Sequence, residues 1–395
     1  MHFVQAALTD KTSNIGVDLA GDKDLTKQRL AKFSIPVPDG EIVCTEAEAV
    51  EALREIGAPV VVKLLDGRQG KGVPLNLSTP EEVIAAFRVA QEFSTDVLVE
   101  ELFVGKNYRV LVVGGKMVAA SERLPCHITG DGRHTIAQLI EIENQSPMRG
   151  EGHEKPLTQI RLTPILLASM LKKGWILEDV PEADERVMLC GGTNLSTGGT
   201  ARDVTDEVHE SVKILCERAA RIVNLDICGV DLVVKNIAEP MPNEKGGVIE
   251  LNAAPGLRMH AFPSEGKPRD VGGAIVEMLY PPGKPARIPI IAITGTNGKT
   301  TVTRMISHIL SESGKQVGMT TTDGIFLNGK QIAAGDTTGP VSAKTILGDN
   351  AVEIAVLETA RNPIGFYIFP DSRTIRSLTS LRNVLKADFF ESRLQ

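Results

Sequence analysis

The chain has 395 residues, 42% of them apolar and 24% charged, with a formal net charge of −7. That is the composition of a soluble globular protein long enough for two or three hydrophobic cores. The acidic balance argues against a nucleic-acid surface, and no apolar run approaches the ~20 residues of a membrane span. The N-terminus lacks a basic-then-apolar signal, so a cytoplasmic protein is expected. The five cysteines, Cys44, Cys126, Cys190, Cys216 and Cys228, are odd in number and never spaced C-x-x-C. They read as reduced, mostly buried thiols, and a zinc site is not expected.

In chain order, Met1–Leu19 holds two short apolar stretches and no complete domain. Asp24–Phe33 reads as a helix ended before Pro36 and Pro38. Thr45-Glu-Ala-Glu48 is a capping-box pattern that opens a helix to about Ile56. Val60–Lys63 is a buried strand, followed by the loop Asp66–Gly72. Thr79 caps the next helix, with Pro80 in its first turn. Val97–Glu101 is a strand. Tyr108–Val113 and Lys116–Ser121 form a hairpin about Gly114-Gly115. A polar insertion covers about 130–160 and includes a helix over Thr135–Asn144. Thr163-Pro164 opens another helix, Asn194–Gly199 is a loop, and Glu207–Ile222 is a long amphipathic helix. Gly229–Val234 and Gly247–Asn252 are strands, and Val271–Leu279 is a helix. Tyr280–Pro289 is rich in proline and marks a domain boundary. Ile290–Thr294 is then a buried strand running into Gly295-Thr-Asn-Gly-Lys-Thr-Thr301 and a helix to about Ser313, the opening of a parallel α/β domain. Val317–Thr321 and Val352–Leu357 would be its next strands. The pattern degrades from Asn362, so residues 362–395 read as an aberrant or disordered tail.

The chemistry is expected where charges interrupt apolar strands. Glu250 and Asn252 are two apart and share a strand face. If the two strands pair, Asp231 joins them in a hard oxygen-donor set of the kind Mg²⁺ takes beside nucleotide phosphates. The sharp turn Ala253-Ala-Pro-Gly256 then presents Arg258 and His260 nearby. Lys63 ends an apolar strand and needs a partner, for which phosphate is a natural choice. The loop glycines Gly67, Gly70 and Gly72 would let backbone N–H groups approach an anion. Lys23 before a helix is a second candidate phosphate cation. Glu100 and Glu101 are candidates for ribose hydroxyls. Arg109, inside a strand, suits bidentate pairing with a phosphate or carboxylate, and a structural salt bridge is the competing reading.

The order of these parts resembles the ATP-grasp superfamily of carboxylate–amine ligases. The strings Arg109–Val113, Gly130-Asp-Gly-Arg-His-Thr-Ile136, Asn194-Leu-Ser-Thr-Gly-Gly199 and Asn252–His260 resemble the cyanophycin synthetase family over about residues 3–361. In that family an ATP-grasp module precedes a module similar to the Mur ligases. The second half fits, because Thr294-Gly-Thr-Asn-Gly-Lys-Thr-Thr301 is similar to the Mur-type phosphate loop. It is not the spaced Walker pattern, since Ile293 stands where the first glycine belongs.

The resemblance implies an α+β ATP-grasp domain over 1–280, a linker over 281–289 and a partial Mur ligase-like P-loop domain over 290–361. It implies ATP and Mg²⁺, with Gly295, Asn297, Gly298, Lys299 and Thr301 around the second phosphate and Thr300 and Glu358 on its metal. It implies L-aspartate, L-arginine and a cyanophycin-type polymer as substrates, and a homo-oligomer. Arg109 and Arg258 would act at the reacting carboxylates, with Ser196, Gly198, Gly199 and His260 beside the substrate. The reaction would be ATP-driven addition of L-aspartate to the C-terminal carboxylate of a poly-aspartate backbone through an acyl phosphate. Two departures qualify it. The family has a domain ahead of the ATP-grasp module, and the sequence from Asn362 does not read as the family's continuation, so Arg addition by the second half is expected to be lost. A non-catalytic ATP- or polymer-binding fragment and another ATP-grasp peptide ligase are the alternatives.

Overall fold

The computed structural model describes residues 2–64, 76–152, 154–241, 246–283 and 287–359. The expected Gly70–Gly72 loop and the tail from Asn362 lie outside these residues. The chain divides into two compact units, one over His2–Leu279 and one from Tyr280 onward.

In the first unit the two-residue strands β1 (Val4–Gln5) and β2 (Leu8–Thr9) form a small hairpin. Helix α1 (Asn14–Gly21), capped by Ser13, falls in the stretch read above as two short apolar pieces, and α2 (Lys23–Lys32), capped by Asp22, is the helix expected from Asp24. Strand β3 (Gly40–Val43), α3 (Glu46–Ile56), β4 (Val60–Leu64), α4 (Pro80–Gln91) and β5 (Val97–Glu101) build a small lobe. Its sheet runs β3-β5-β4, antiparallel throughout. Both helices open at complete capping boxes, Thr45 with Glu48 and Thr79 with Glu82. They pack Ala49, Ala52, Ala86 and Phe87 onto Val60, Val62, Val97 and Val99. Period-2 alternation sends Val61, Lys63, Leu98 and Glu100 to the opposite face.

Strands β6 (Lys106–Val113) and β7 (Lys116–Leu124) join through Gly114 and Gly115, whose φ of 58° and 76° suit a two-residue hairpin turn. An excursion follows: β8 (His127–Thr129), α5 (Ile136–Asn144), β9 (Arg149–Gly150), β10 (Leu157–Thr158), α6 (Pro164–Lys172) and β11 (Arg186–Met188). It has its own core, including Ile136, Ile140, Met170 and Leu189. The chain returns through β12 (Thr200–Asp203), α7 (Glu210–Ile222), β13 (Ile227–Val234), β14 (Gly247–Asn252), α8 (Arg258–Ala261) and α9 (Val271–Leu279).

The main sheet runs β12-β7-β6-β13-β14, every pair antiparallel. Helix α7 covers the face of Val110, Val112, Val230 and Leu232. Helix α9 covers Leu111, Val113, Ala119 and Ile227 on the other. That second face is apolar at one end only. Further along the same strands it carries Arg109, Ser121, Arg123 and Asp231, and there the site lies.

In the second unit β15 (Ile290–Ile293), α10 (Lys299–Glu312), β16 (Val317–Thr321), β17 (Gly324–Leu327), β18 (Lys330–Ala334), α11 (Pro340–Gly348) and β19 (Ile354–Glu358) form a sheet of order β15-β19-β16-β17-β18. The first three strands are parallel, and β17 and β18 add an antiparallel meander. Strand β19 is buried on both faces, as a central parallel strand is. Its Ile354 and Val356 meet Ile306 and Leu310 of α10, and its Ala355 and Leu357 meet Ala343 and Ile346 of α11. The sequence reading lacked β17, β18 and α11. The signal was present in Asn328-Gly329, a two-residue turn with φ of 49° and 77°.

Candidate active site

Strand β5 ends in two carboxylates with different surroundings. Glu100 is 2% exposed, and its two oxygens take the ammonium groups of Lys27 on α2 and Lys63 on β4. Lys63 lies beside Leu98 in the register, which makes it a diagonal neighbour of Glu100 on one face. Burial pulls the Lys27 ammonium below its ordinary value, Glu100 opposes this, and Lys63 adds to it. Two cations against one buried carboxylate leave an excess positive charge, an arrangement suited to a further anion.

Lys23 stands one helical turn before Lys27, and both line a cleft with Glu250 of β14. The expectation that Glu100 faces a ribose differs from this placement, since its oxygens turn to the lysines. Glu101 is half-buried, and its backbone N–H donates to the Asp39 carbonyl at 2.7 Å. Lys27 was missed. The available signal was its position four residues after Lys23, on the same helix face.

On the main sheet Asp231 stands opposite Arg109 of β6 and opposite Glu250 of β14, and a bulge follows it. Bulges re-aim side chains beside sites. The Arg109 guanidinium clamps Asp231 through Nε to Oδ1 and through Nη2 to Oδ2 at 2.9 Å. Arg123 of β7 donates Nη1 to Asp231 Oδ2 at 2.9 Å and Nη2 to Asn194 Oδ1 at 2.6 Å. Burial acts to raise the Asp231 carboxyl, but the two guanidiniums outweigh it and hold the group below its ordinary value. Gly229 makes room for this. A Cβ there would stand 2.7 Å from Pro255 Cβ and 3.1 Å from Arg109 Cδ.

The set expected for Mg²⁺ is therefore gathered on one face, but its members are not equivalent. Asp231 is committed to two arginines. Asn252 has a buried Nδ2 with no partner, so its amide is not anchored. Glu250 is half-buried and lines the lysine cleft. The Glu250 carboxylate and the Asn252 amide oxygen are hard donors of the kind such a cation takes. Among the described residues no three His, Cys, Asp or Glu side chains cluster to hold a metal by themselves. Arg123 was not foreseen, because its partner lies 108 positions away.

The Asn194–Gly199 loop reaches this face through Asn194 and Arg123. Ser196 is exposed on its single 3₁₀ turn. Gly198 has φ of 91°, and a Cβ there would meet Cys126 Sγ at 3.0 Å; one on Gly199 would meet the Asn194 and Leu124 carbonyls at 2.9 Å. The two glycines are thus needed to close the loop. Arg258 Nη1 donates to the Lys155 carbonyl at 2.7 Å, which ties it to the excursion. His260 is 1% exposed, lies 2.9 Å from Ser121 Oγ through Nδ1, and has a buried Nε2 with no partner. Burial pushes it down to about 3. It is a neutral interior group and not an open substrate contact.

In the second unit Gly298, at φ of 77°, caps α10. Lys299 Nζ donates to the Gly295 carbonyl at 3.2 Å. Thr300 Oγ1 donates to Glu358 Oε1 at 3.0 Å, and the Thr322 N–H donates to Glu358 Oε2 at 3.2 Å. Asn297 and Thr301 are exposed at the rim. The hydroxyl and the buried carboxylate meet at the C-terminal ends of parallel strands, where open α/β sheets take ligands. Both are hard oxygen donors, so the pair fits a divalent cation beside a phosphate.

Comparison with known proteins agrees with this architecture. Residues 20–104 match the ATP-grasp domain family and residues 293–367 the Mur ligase middle domain family. A bifunctional glutathione synthetase from Pasteurella multocida, solved by crystallography, aligns with 71% of this chain and 38% of its own at 31% identity and a TM-score of 0.57. Fold and sequence thus place the chain in the class of proteins that join an ATP-grasp domain to a Mur ligase-type middle domain. Within that class the chain is a relative of the cyanophycin synthetases. It is 47% identical to cyanophycin synthetase of Trichormus variabilis over 362 residues, 91% of this chain and 40% of that protein. It is 47% identical to that of Synechocystis over 364 residues, 91% of this chain and 42% of that one. A glutathione biosynthesis bifunctional protein of Listeria welshimeri is 35% identical over 281 residues, 70% of this chain and 36% of that protein. The chain thus spans about two fifths of the length of the cyanophycin synthetases it matches.

Proposed function

We propose that the first unit uses ATP to add L-aspartate to the C-terminal carboxylate of a poly-aspartate backbone. The gathering of Arg109, Arg123, Asp231, Glu250 and Asn252 on one sheet face carries this reading. The reaction must bring a polymer carboxylate against a triphosphate, so cations are needed where charge builds up. Lys63 on the small lobe and Lys23 and Lys27 on α2 supply them. Glu250 and Asn252 would hold Mg²⁺, which would screen the phosphates as a polymer carboxylate oxygen takes the γ-phosphoryl group of ATP, giving an acyl phosphate and releasing ADP. Arg109 and Arg123 exceed Asp231 by one positive charge and orient the acceptor carboxylate. The aspartate amine then attacks the acyl carbon and phosphate leaves. No nucleophile on the protein is required. The second unit would bind a nucleotide phosphate on Gly295–Thr301, and Thr300 and Glu358 would hold Mg²⁺ there.

Phosphate release from ATP and Mg²⁺ tests this, using a poly-aspartate/arginine primer with a free C-terminus. Release that requires both primer and L-aspartate is the expected result. ATP binding with no release under any combination would overturn the assignment in favour of a binding protein.

A further inference from the structure

Two of the five cysteines meet at the end of the β8–β11 pair. The register closes with Met188 opposite His127, and one step further the Leu189 N–H donates to the Cys126 carbonyl at 2.9 Å. Cys126 immediately precedes β8 and Cys190 closely follows β11, so the strand pairing holds them side by side. Their side chains meet: the Cys126 thiol and the Cys126 backbone N–H both hydrogen-bond to Cys190 Sγ. Cys126 is fully buried in the core of the excursion, and Cys190 packs against that core while remaining partly exposed. Cys190 Sγ is also 3.4 Å from the Gly192 carbonyl.

The two sulfurs are not equivalent. The hydrogen bond from Cys126 lowers the Cys190 thiol against the opposing effect of burial. Lys173, whose Nζ donates to the Met188 carbonyl at 3.1 Å, adds positive charge nearby. The same hydrogen bond, together with burial, raises Cys126. A partly exposed sulfur that ionises readily, in contact with a buried one that does not, pairs an attacking thiol with a resolving thiol. Cys44 is the more exposed cysteine, but local burial and the Asp96 carboxylate raise its thiol. We infer that Cys126 and Cys190 form a peroxide-sensitive dithiol that closes to a disulfide. The Cys190 thiolate attacks one peroxide oxygen, an S–O bond forms as the O–O bond breaks, and the released hydroxide takes up a proton and leaves as water. The Cys126 sulfur then attacks the Cys190 sulfur, and its proton goes to the departing hydroxide. Two thiols and one peroxide give one disulfide and two waters, so sulfur is oxidised and peroxide reduced. The new bond would join Cys190, where the run to Gly199 begins, to Cys126, whose Sγ lies 3.0 Å from the place of a Gly198 Cβ. It would thus fasten the base of the loop that reaches Arg123 through Asn194.

Peptide mass mapping of the full chain after treatment with hydrogen peroxide tests this. The expected product is a cross-linked peptide holding Cys126 and Cys190, lighter by two hydrogens than the reduced pair and restored by dithiothreitol. Before oxidation, limiting iodoacetamide at neutral pH should label Cys190 about tenfold faster than Cys44, through its larger thiolate fraction. Cys126→Ser removes the resolving sulfur, so Cys190 should then stop at a sulfenic acid that dimedone traps. Cys190→Ser, at a partly exposed position, should abolish the cross-link and leave Cys126 unoxidised. Peroxide treatment that leaves the two thiols unlinked, or labelling of Cys44 ahead of Cys190, would overturn the proposal. Both readouts are independent of phosphate release, so the dithiol and the proposed reaction fail separately.

Discussion

Single side chains in this protein are held by charge balances that can be measured. Asp231 neutralises Arg109 and Arg123 in a buried setting. Asp231→Ala leaves two guanidiniums without a counter-charge, and denaturant unfolding should show a loss of about 3–5 kcal/mol. His260 gives a pH signature. Its folded value of about 3 lies below the ordinary 6.5. Between the two, the unfolded chain takes up a proton that the folded chain refuses. The stability from a neutral His260 is therefore fully present above 6.5 and is lost progressively as pH falls toward 3. His260→Gln should flatten that acid limb by up to ~1.4 kcal/mol per pH unit, and urea titrations at pH 7.5, 5.5 and 4.5 will read it.

Whole elements place these residues, and their geometry sets further expectations. Strand β13 lies between β6 and β14 and can bring Asp231 beside Arg109 only because Gly229 leaves its neighbours' space free. Gly229→Ala puts a methyl group 3.1 Å from Arg109 Cδ. It should reduce primer- and aspartate-dependent phosphate release at least tenfold while far-ultraviolet circular dichroism stays native, since the clash falls on Pro255 of the turn beside the site, at 2.7 Å, and on the Arg109 side chain. Helix α4 depends on its capping box. Thr79→Ala should lower stability by about 1 kcal/mol without touching the sheet face, and a melting curve will show it.

The whole molecule carries separate cores in its two units. Ile346 is fully buried between α11 and β19 of the second unit. Ile346→Ala should remove about 2–5 kcal/mol from that unit and lower one calorimetric transition, leaving the transition of the His2–Leu279 unit in place. A single broadened transition that moves as a whole would show instead that the two cores unfold together.

Much of this was open to reading in the linear chain because the signals are local. Capping boxes, the Gly114-Gly115 turn, the strand–loop–helix about Lys299 and the two-residue spacing of Glu250 and Asn252 depend on neighbours a few positions apart. The sequence by itself therefore determined the ATP-grasp and Mur-type organisation, the longer strands and most helices of the first unit, and the face of β14 that bears the donors. What it could not determine is pairing at long range. That Lys27 and Lys63 share Glu100, that Arg123 joins Arg109 on Asp231, and that His260 turns inward are decided by which strands and helices meet. A side chain's partner and its burial are properties of packing, and those residues lie up to 139 positions apart along the chain. Only the tertiary structure could turn isolated charges into a balanced site and leave Arg149 Nη2 and Thr200 Oγ1 without partners.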